Sequence, residues 1–184
     1  MSDLQALEKR LRILEDKDAI TSLLNRYCNT ADDRDWVSFG QCFTEDGVMC
    51  FENWGDVVGQ EKITAAAGGA EDRFEGLQHS MTNQQVDVDG DEAACRCYLW
   101  FAATMDRSKP HEYHAFGGHY RFKFRRTAEG WRISQMQLKK MWAQNEDTEG
   151  VFNAYEVLRW NRTRKFRVRI KINELSSCTW LGQG

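Results

Sequence analysis

The stretch "GLQHSMTNQQVDVDGDEA", Gly76 to Ala93, carries two short alternating runs and a tight turn, and its reading decides the second half of the chain. Leu77–Val88 favours a strand, "DVDGDE" is rich in turn formers, and a second strand starts at Glu92. His79 sits near the start of the first of these strands, an unusual place for a titratable ring. Further on, the same period-two pattern recurs at Glu92–Met105, His114–Arg126 and Trp131–Trp142, separated by "DRSKP" and "TAEG". Within "HYRFKF", Tyr120, Phe122 and Phe124 alternate with His119, Arg121 and Lys123, so one face is aromatic and the other basic.

Upstream of Gly76 the period is helical. Leu4, Leu7, Leu11 and Leu14 recur at three- and four-residue steps, as do Ile20, Leu23, Leu24 and Tyr27, so residues 3–31 read as helix. Asp16 is a candidate cap for a second helix starting afresh with a break in direction. "DWVSFGQCF" (Asp35–Phe43) reads as a short helix with Asp35 as N-cap. "DGVMCF" reads as a strand, and "GQEKITAAAGGAEDRFEG" (Gly59–Gly76) as a helix weakened by Gly68 and Gly69. Helices first and a run of antiparallel strands after them imply an α+β domain, with a curved sheet wrapped around the helices.

Composition narrows the function classes. At 184 residues, with 41% hydrophobic and 29% charged side chains, the chain suits one domain with a sizeable core. Seven Trp and ten Phe supply more ring surface than a small core needs, so a ring-lined cavity stands beside a plain aromatic core as a reading. Net charge is −3, but from Gly150 onward seven basic residues face two acidic ones, leaving −8 on residues 1–149. An acidic body gives no general attraction for nucleic acid. The six cysteines show no C-x-x-C metal spacing, and Cys95 and Cys97 would share one face of a strand. His111 and His114 are three apart without an evident third ligand, so no metal site is expected. The charged start "MSDLQALEKRLRILEDKD" is not a signal peptide, and no apolar run approaches a membrane span of about 18 residues. The expectation is a cytoplasmic protein with reduced thiols, off the membrane. Residues 150–184 read as a basic extension, either one more strand ("KFRVRIKI") or a peripheral appendage.

Taken in order, "LEDKDAITSLLNRYCNTADDRDWVSFGQCFTEDGVM", "GLQHSMTNQQVDVDGDEA" and "GGHYRFKFRRTAEGWRISQMQL" resemble the SnoaL-like branch of the nuclear transport factor 2-like superfamily, over about residues 10–145. The resemblance rests on an aromatic and then an Asp at the end of the first long helix, "RDW" opening the second and "F-x-x-D-G" entering the first strand. To these it adds His before "N-x-x-V-D-V-D-G-D", and "G-x-Y…F-x-R-x-x-x-G-W-R-I". It implies a cone-shaped α+β roll: a strongly bent antiparallel or mixed sheet around an apolar cavity closed by N-terminal helices, usually dimeric. Its members include scytalone dehydratase, bile-acid 7α-dehydratase, polyketide cyclases and steroid isomerase, besides proteins without known catalysis. Carried across position by position, the dehydratase-type Tyr, Asp and His fall on Tyr27, Asp32 and His79.

Those residue types suit cofactor-independent dehydration or isomerisation of an apolar cyclic substrate of polyketide, terpenoid or steroid type. The histidine would move a proton, the carboxylate would orient it, and the tyrosine would donate to a carbonyl. On a regular helix Tyr27 and Asp32 are about 140° apart, so a bend after Thr30 is expected. Trp54, Leu99, Phe101, Phe116, His119, Tyr120 and Met141 are the candidate substrate-binding residues. The alternation around His119 also allows an outward-facing position. A non-catalytic small-molecule-binding module or a dimeric interaction module of the same fold is the competing reading.

Overall fold

The computed structural model describes residues 3–51 and 55–145; Trp54 and the 150–184 extension fall outside the described residues. Asp3–Asp32 forms one helix, α1. The apolar stripe on it splits. Ile20, Leu23, Leu24 and Tyr27 are buried, while Leu4, Leu7, Leu11 and Leu14 are each more than half exposed. Asp16 marks the change, but it does not cap a second helix, and α1 runs through it without a break. Its carboxylate is buried mid-helix instead. There it accepts hydrogen bonds from Trp131 Nε1 (3.1 Å) and Arg126 Nη2 (2.7 Å). The guanidinium beside it is the main cause that holds its pKa below the usual carboxylate range.

The short helix α2 (Trp36–Gly40) is capped as expected, with Ser38 N donating to Asp35 Oδ1 at 3.1 Å. Strand β1 (Phe43–Phe51) and the short β2 (Gly55–Val58) follow, then α3 (Gln60–Glu71). The glycines in α3 do not break it. Gly68 lets the Trp36 indole close in, to 3.4 Å from where a Cβ would stand. The four long strands are β3 (Gly76–Asp89), β4 (Glu92–Thr104), β5 (Tyr113–Thr127) and β6 (Gly130–Gln144).

The six strands form one mixed sheet in the order β2-β1-β6-β5-β4-β3, curled but not closed. All neighbours are antiparallel except β1 with β6, which run parallel. The inner face is the core. It carries Cys95, Cys97, Leu99 and Phe101 from β4, Phe116, Tyr120, Phe122 and Phe124 from β5, and Trp131, Ile133, Met136 and Leu138 from β6. Burying each of the larger of these contributes about 1.5–3 kcal/mol. Cys28, Cys42, Cys95 and Cys97 are buried free thiols.

A bulge in β3 sets the phase of the first strand. Thr82 pairs with Tyr98 and Gln85 with Arg96, one extra residue on β3, and Asn83 takes a left-handed φ of 56°. Before the bulge the odd positions Leu77, His79 and Met81 face inward; after it the even positions Val86 and Val88 do. The last residue of α1 and the last of α3 both reach the first half of β3.

Candidate active site

α1 ends at Asp32, closed by Asp33 N donating to Asn29 O (2.9 Å) and by Arg34 at a left-handed φ of 59°. A carboxylate there works against the helix dipole. The neighbouring strand compensates. The backbone N–H of His79 donates to both oxygens of Asp32 at 3.0 Å, and Nδ1 of its ring lies 2.7 Å from Oδ1. Since β3 is the sheet edge beyond β4, α1 covers that edge and uses one of its free donors. An ionised carboxylate only accepts, so Nδ1 carries the hydrogen in this pair and Nε2 is left for other work.

The His79 side chain is 5% exposed. Its ring packs on Phe101, centroids 4.9 Å apart, and lies 6.5 Å from the ring of Tyr27. No bend after Thr30 is needed. Tyr27 and Asp32 reach the same histidine because β3 packs against the end of α1.

A group that the sequence reading passed over completes the cluster. Glu71 Oε1 lies 3.7 Å from His79 Nε2, and Oε2 is buried without a hydrogen-bond partner among the described residues. Burial pushes the Glu71 carboxyl up to about 7; the His79 charge opposes the rise and Asp32 adds to it. Burial pulls the His79 ring down, but the negative charges of Glu71 and Asp32 more than offset this, and its pKa is raised. The signal for Glu71 was present in the sequence: it lies four residues beyond Ala67 and eight beyond Ile63, on the buried stripe of α3.

Opposite this cluster the hydroxyls of Tyr27 and Tyr120 meet at 3.3 Å. Burial raises both well above the ordinary phenol range, so both stay protonated at neutral pH. One proton joins the pair and the other is left to donate.

Tyr27, Phe39, Glu71, His79, Leu99, Phe116, Tyr120 and Leu138 are among the residues lining a cavity of about 30 Å³. Leu99, Phe116 and Tyr120 thus line this cavity, and Phe101 packs against the His79 ring without lining it. Two further expected lining residues do not line it either. His119 is exposed on the outer face and stacks on Tyr98 at 5.0 Å, because its neighbours in the alternation, not its position beside Tyr120, decide its side of the sheet. Met141 is 53% exposed near the end of β6, past the last buried inward residue, Leu138. Trp54 lies outside the described residues. Among the described residues no group of three His, Cys, Asp or Glu side chains could hold a metal ion.

A sequence profile of the SnoaL-like domain matches residues 12–137. The chain belongs to the SnoaL-like family. Solved structures agree on the fold of this SnoaL-like protein. A nuclear transport factor 2-like protein with a cystatin-like fold from Novosphingobium aromaticivorans superposes with a TM-score of 0.67 at 26% identity, covering 84% of this chain and 99% of that one. A protein of unknown function from Mycobacterium tuberculosis gives 0.61 at 26% identity over 71% of this chain and 77% of that one. A third, from Novosphingobium aromaticivorans and provisionally named a scytalone dehydratase, gives 0.63 at 18% identity over 79% and 92%. No curated protein matches the chain.

Proposed function

We propose that this SnoaL-like protein is a cofactor-independent lyase or isomerase acting on an apolar cyclic carbonyl compound of polyketide, terpenoid or steroid type. The observation that carries the reading is the 2.7 Å contact between Asp32 and His79 Nδ1 at the wall of an apolar cavity. His79 Nε2 takes a proton alpha to the substrate carbonyl. Asp32 holds the ring in the tautomer that leaves Nε2 basic, and stabilises the imidazolium that forms. The Tyr27–Tyr120 pair donates a hydrogen bond to the carbonyl oxygen as enolate charge builds there. Loss of a β-hydroxyl then gives dehydration, and return of the proton to another carbon gives isomerisation. The relative named a scytalone dehydratase supports the first outcome by analogy of fold alone.

The test is mass spectrometry of small molecules extracted from the purified protein, followed by turnover of any hydroxy-carbonyl compound found. His79→Ala lowers that turnover by about 10²–10⁴-fold. Turnover that survives His79→Ala unchanged would exclude the reading.

A second reading, a binding module without chemistry, draws on the cavity's size. At about 30 Å³ it admits no ring until side chains move. In that case a ligand co-purifies, His79→Ala leaves its affinity nearly unchanged, and no product forms. Under either reading the partners are an apolar ring compound and a second copy of this chain, with no part for nucleic acid or a membrane. No described helix is long and apolar enough to cross a membrane.

A further inference from the structure

Dehydration needs a donor that protonates the departing hydroxyl as well as a base that takes the α-proton, whereas isomerisation returns the proton to carbon. We infer that Glu71 is that donor: it gives its proton to the leaving oxygen and recovers one from His79, which commits the site to eliminating water from cyclic β-hydroxy carbonyl compounds. The inference rests on the acid–base reading of His79 given above.

The geometry supplies both halves. Glu71 lines the same cavity as His79, Tyr27 and Tyr120. Its two oxygens are in different situations, Oε1 being 3.7 Å from His79 Nε2 and Oε2 buried with no hydrogen-bond partner among the described residues. A buried carboxyl oxygen left unpaired is destabilising, more so if ionised, so the position is unfavourable unless a ligand completes it. Asp32, by contrast, spends both oxygens on His79 and cannot serve as the donor.

The steps balance. His79 Nε2 takes the α-proton, and the electrons of that C–H bond move to the enolate. They return to form the carbon–carbon double bond as the β-carbon–oxygen bond breaks, its electron pair leaving with oxygen. Glu71 protonates that oxygen and water departs. The site now holds imidazolium and carboxylate 3.7 Å apart in the resting geometry. One proton passing from Nε2 to Glu71 restores the starting state, with no net exchange of protons with solvent.

Such a pair must hold a single shared proton near neutral pH. The charged and titratable groups that act on Glu71 are Tyr27 and Asp32 of α1, Arg34 just beyond it, Asp72 next to it in sequence and His79 of β3; Tyr120 of β5 completes the surround. Burial outweighs the opposing charges of His79 and Arg34, leaving the carboxyl at about 7.

The experiment is an NMR titration of the full chain, labelled at glutamate carboxyls and histidine rings, for wild type, Glu71→Gln and Glu71→Asp. It is paired with turnover of β-hydroxycyclohexanone and β-hydroxytetralone. One glutamate signal titrating near neutrality is expected in wild type and absent from Glu71→Gln. The His79 midpoint falls in Glu71→Gln, because the anion that raises it is gone. Dehydration by Glu71→Gln drops about 100-fold or more, mainly in kcat, and Glu71→Asp restores part of it. A Glu71 that titrates with the surface glutamates, or a His79 midpoint unmoved by Glu71→Gln, overturns the inference even if wild type dehydrates these ketones. A near-neutral Glu71 in a wild type that dehydrates neither ketone overturns the elimination and leaves only the shared proton.

Discussion

Asp32 is a negative charge at the wrong end of a helix, and it is tolerated because His79 meets it with two donors, the backbone N–H shared by both oxygens and the ring Nδ1–H. Asp32→Asn removes the acceptor-only partner. The His79 pKa, which Asp32 helps to raise, is then expected to fall in a histidine NMR titration; an unchanged midpoint would mean the contact does not orient or charge the ring. Glu71 gives a second residue-scale prediction. Its folded-state pKa, about 7, lies above the ordinary glutamate value of 4.5, so the folded protein keeps a proton there that the unfolded chain releases. Stability from this group is full below pH 4.5, declines as pH rises towards 7, and is absent above it. Glu71→Gln should therefore gain on wild type between pH 5 and 8, by on the order of 1–3 kcal/mol in urea denaturation. Equal pH dependence in the two proteins would contradict the burial of this carboxyl.

At the scale of elements, Asp16 ties the middle of α1 to the sheet in a way that its hydrophobic pattern does not announce. Asp16 bonds Trp131 Nε1 and Arg126, whose guanidinium also stacks 4.4 Å over the Trp131 ring and pairs with Asp91. Asp16→Ala leaves a buried indole N–H and a partly buried cation without this partner, at a cost of about 2–4 kcal/mol in chemical denaturation. A loss below about 0.5 kcal/mol would place the pair among ordinary surface interactions. Gly118 is the other sensitive point. A Cβ there would stand 2.3 Å from Lys139 O, beside the β5–β6 irregularity. Gly118→Ala should destabilise by about 1–3 kcal/mol through strand displacement. The β3 bulge was legible, in retrospect, as two alternating runs out of phase: inward Leu77, His79 and Met81, then inward Val86 and Val88.

Across the whole molecule, the outer sheet face keeps Tyr98, Trp100 and Trp142 exposed, with the Trp100 and Trp142 rings 4.7 Å apart. An apolar patch of that kind suits a second copy of the chain. Sedimentation velocity should find wild type dimeric and Trp100→Glu shifted to monomer; a monomeric wild type would end the expectation of self-association through this face. The same scale decides what enters the site. The cavity is small because Tyr27, Phe116 and Tyr120 close on it, so ligand binding must displace rings, and a bound ligand should raise Tm by mass action.

The order of the helices and of the strands other than β2, the aromatic inner face of β5 and the Asp35 cap were readable from the amino-acid sequence, because period and capping are local properties of a few adjacent residues; the four-residue β2 is too short to show a period. The trio Tyr27, Asp32 and His79 was legible only through the family resemblance, since helix spacing alone sets Tyr27 and Asp32 apart. What tertiary structure alone decided is which distant polar groups meet. Glu71 and Asp16 each interrupt an apolar stripe, and in one dimension such a residue looks like a solvated charge. Only the packing of α3 and β3 makes Glu71 the second carboxyl on His79, and only the closure of β5 and β6 over α1 makes Asp16 an anchor. Burial and charge act through space, and the chain's order carries no record of those distances.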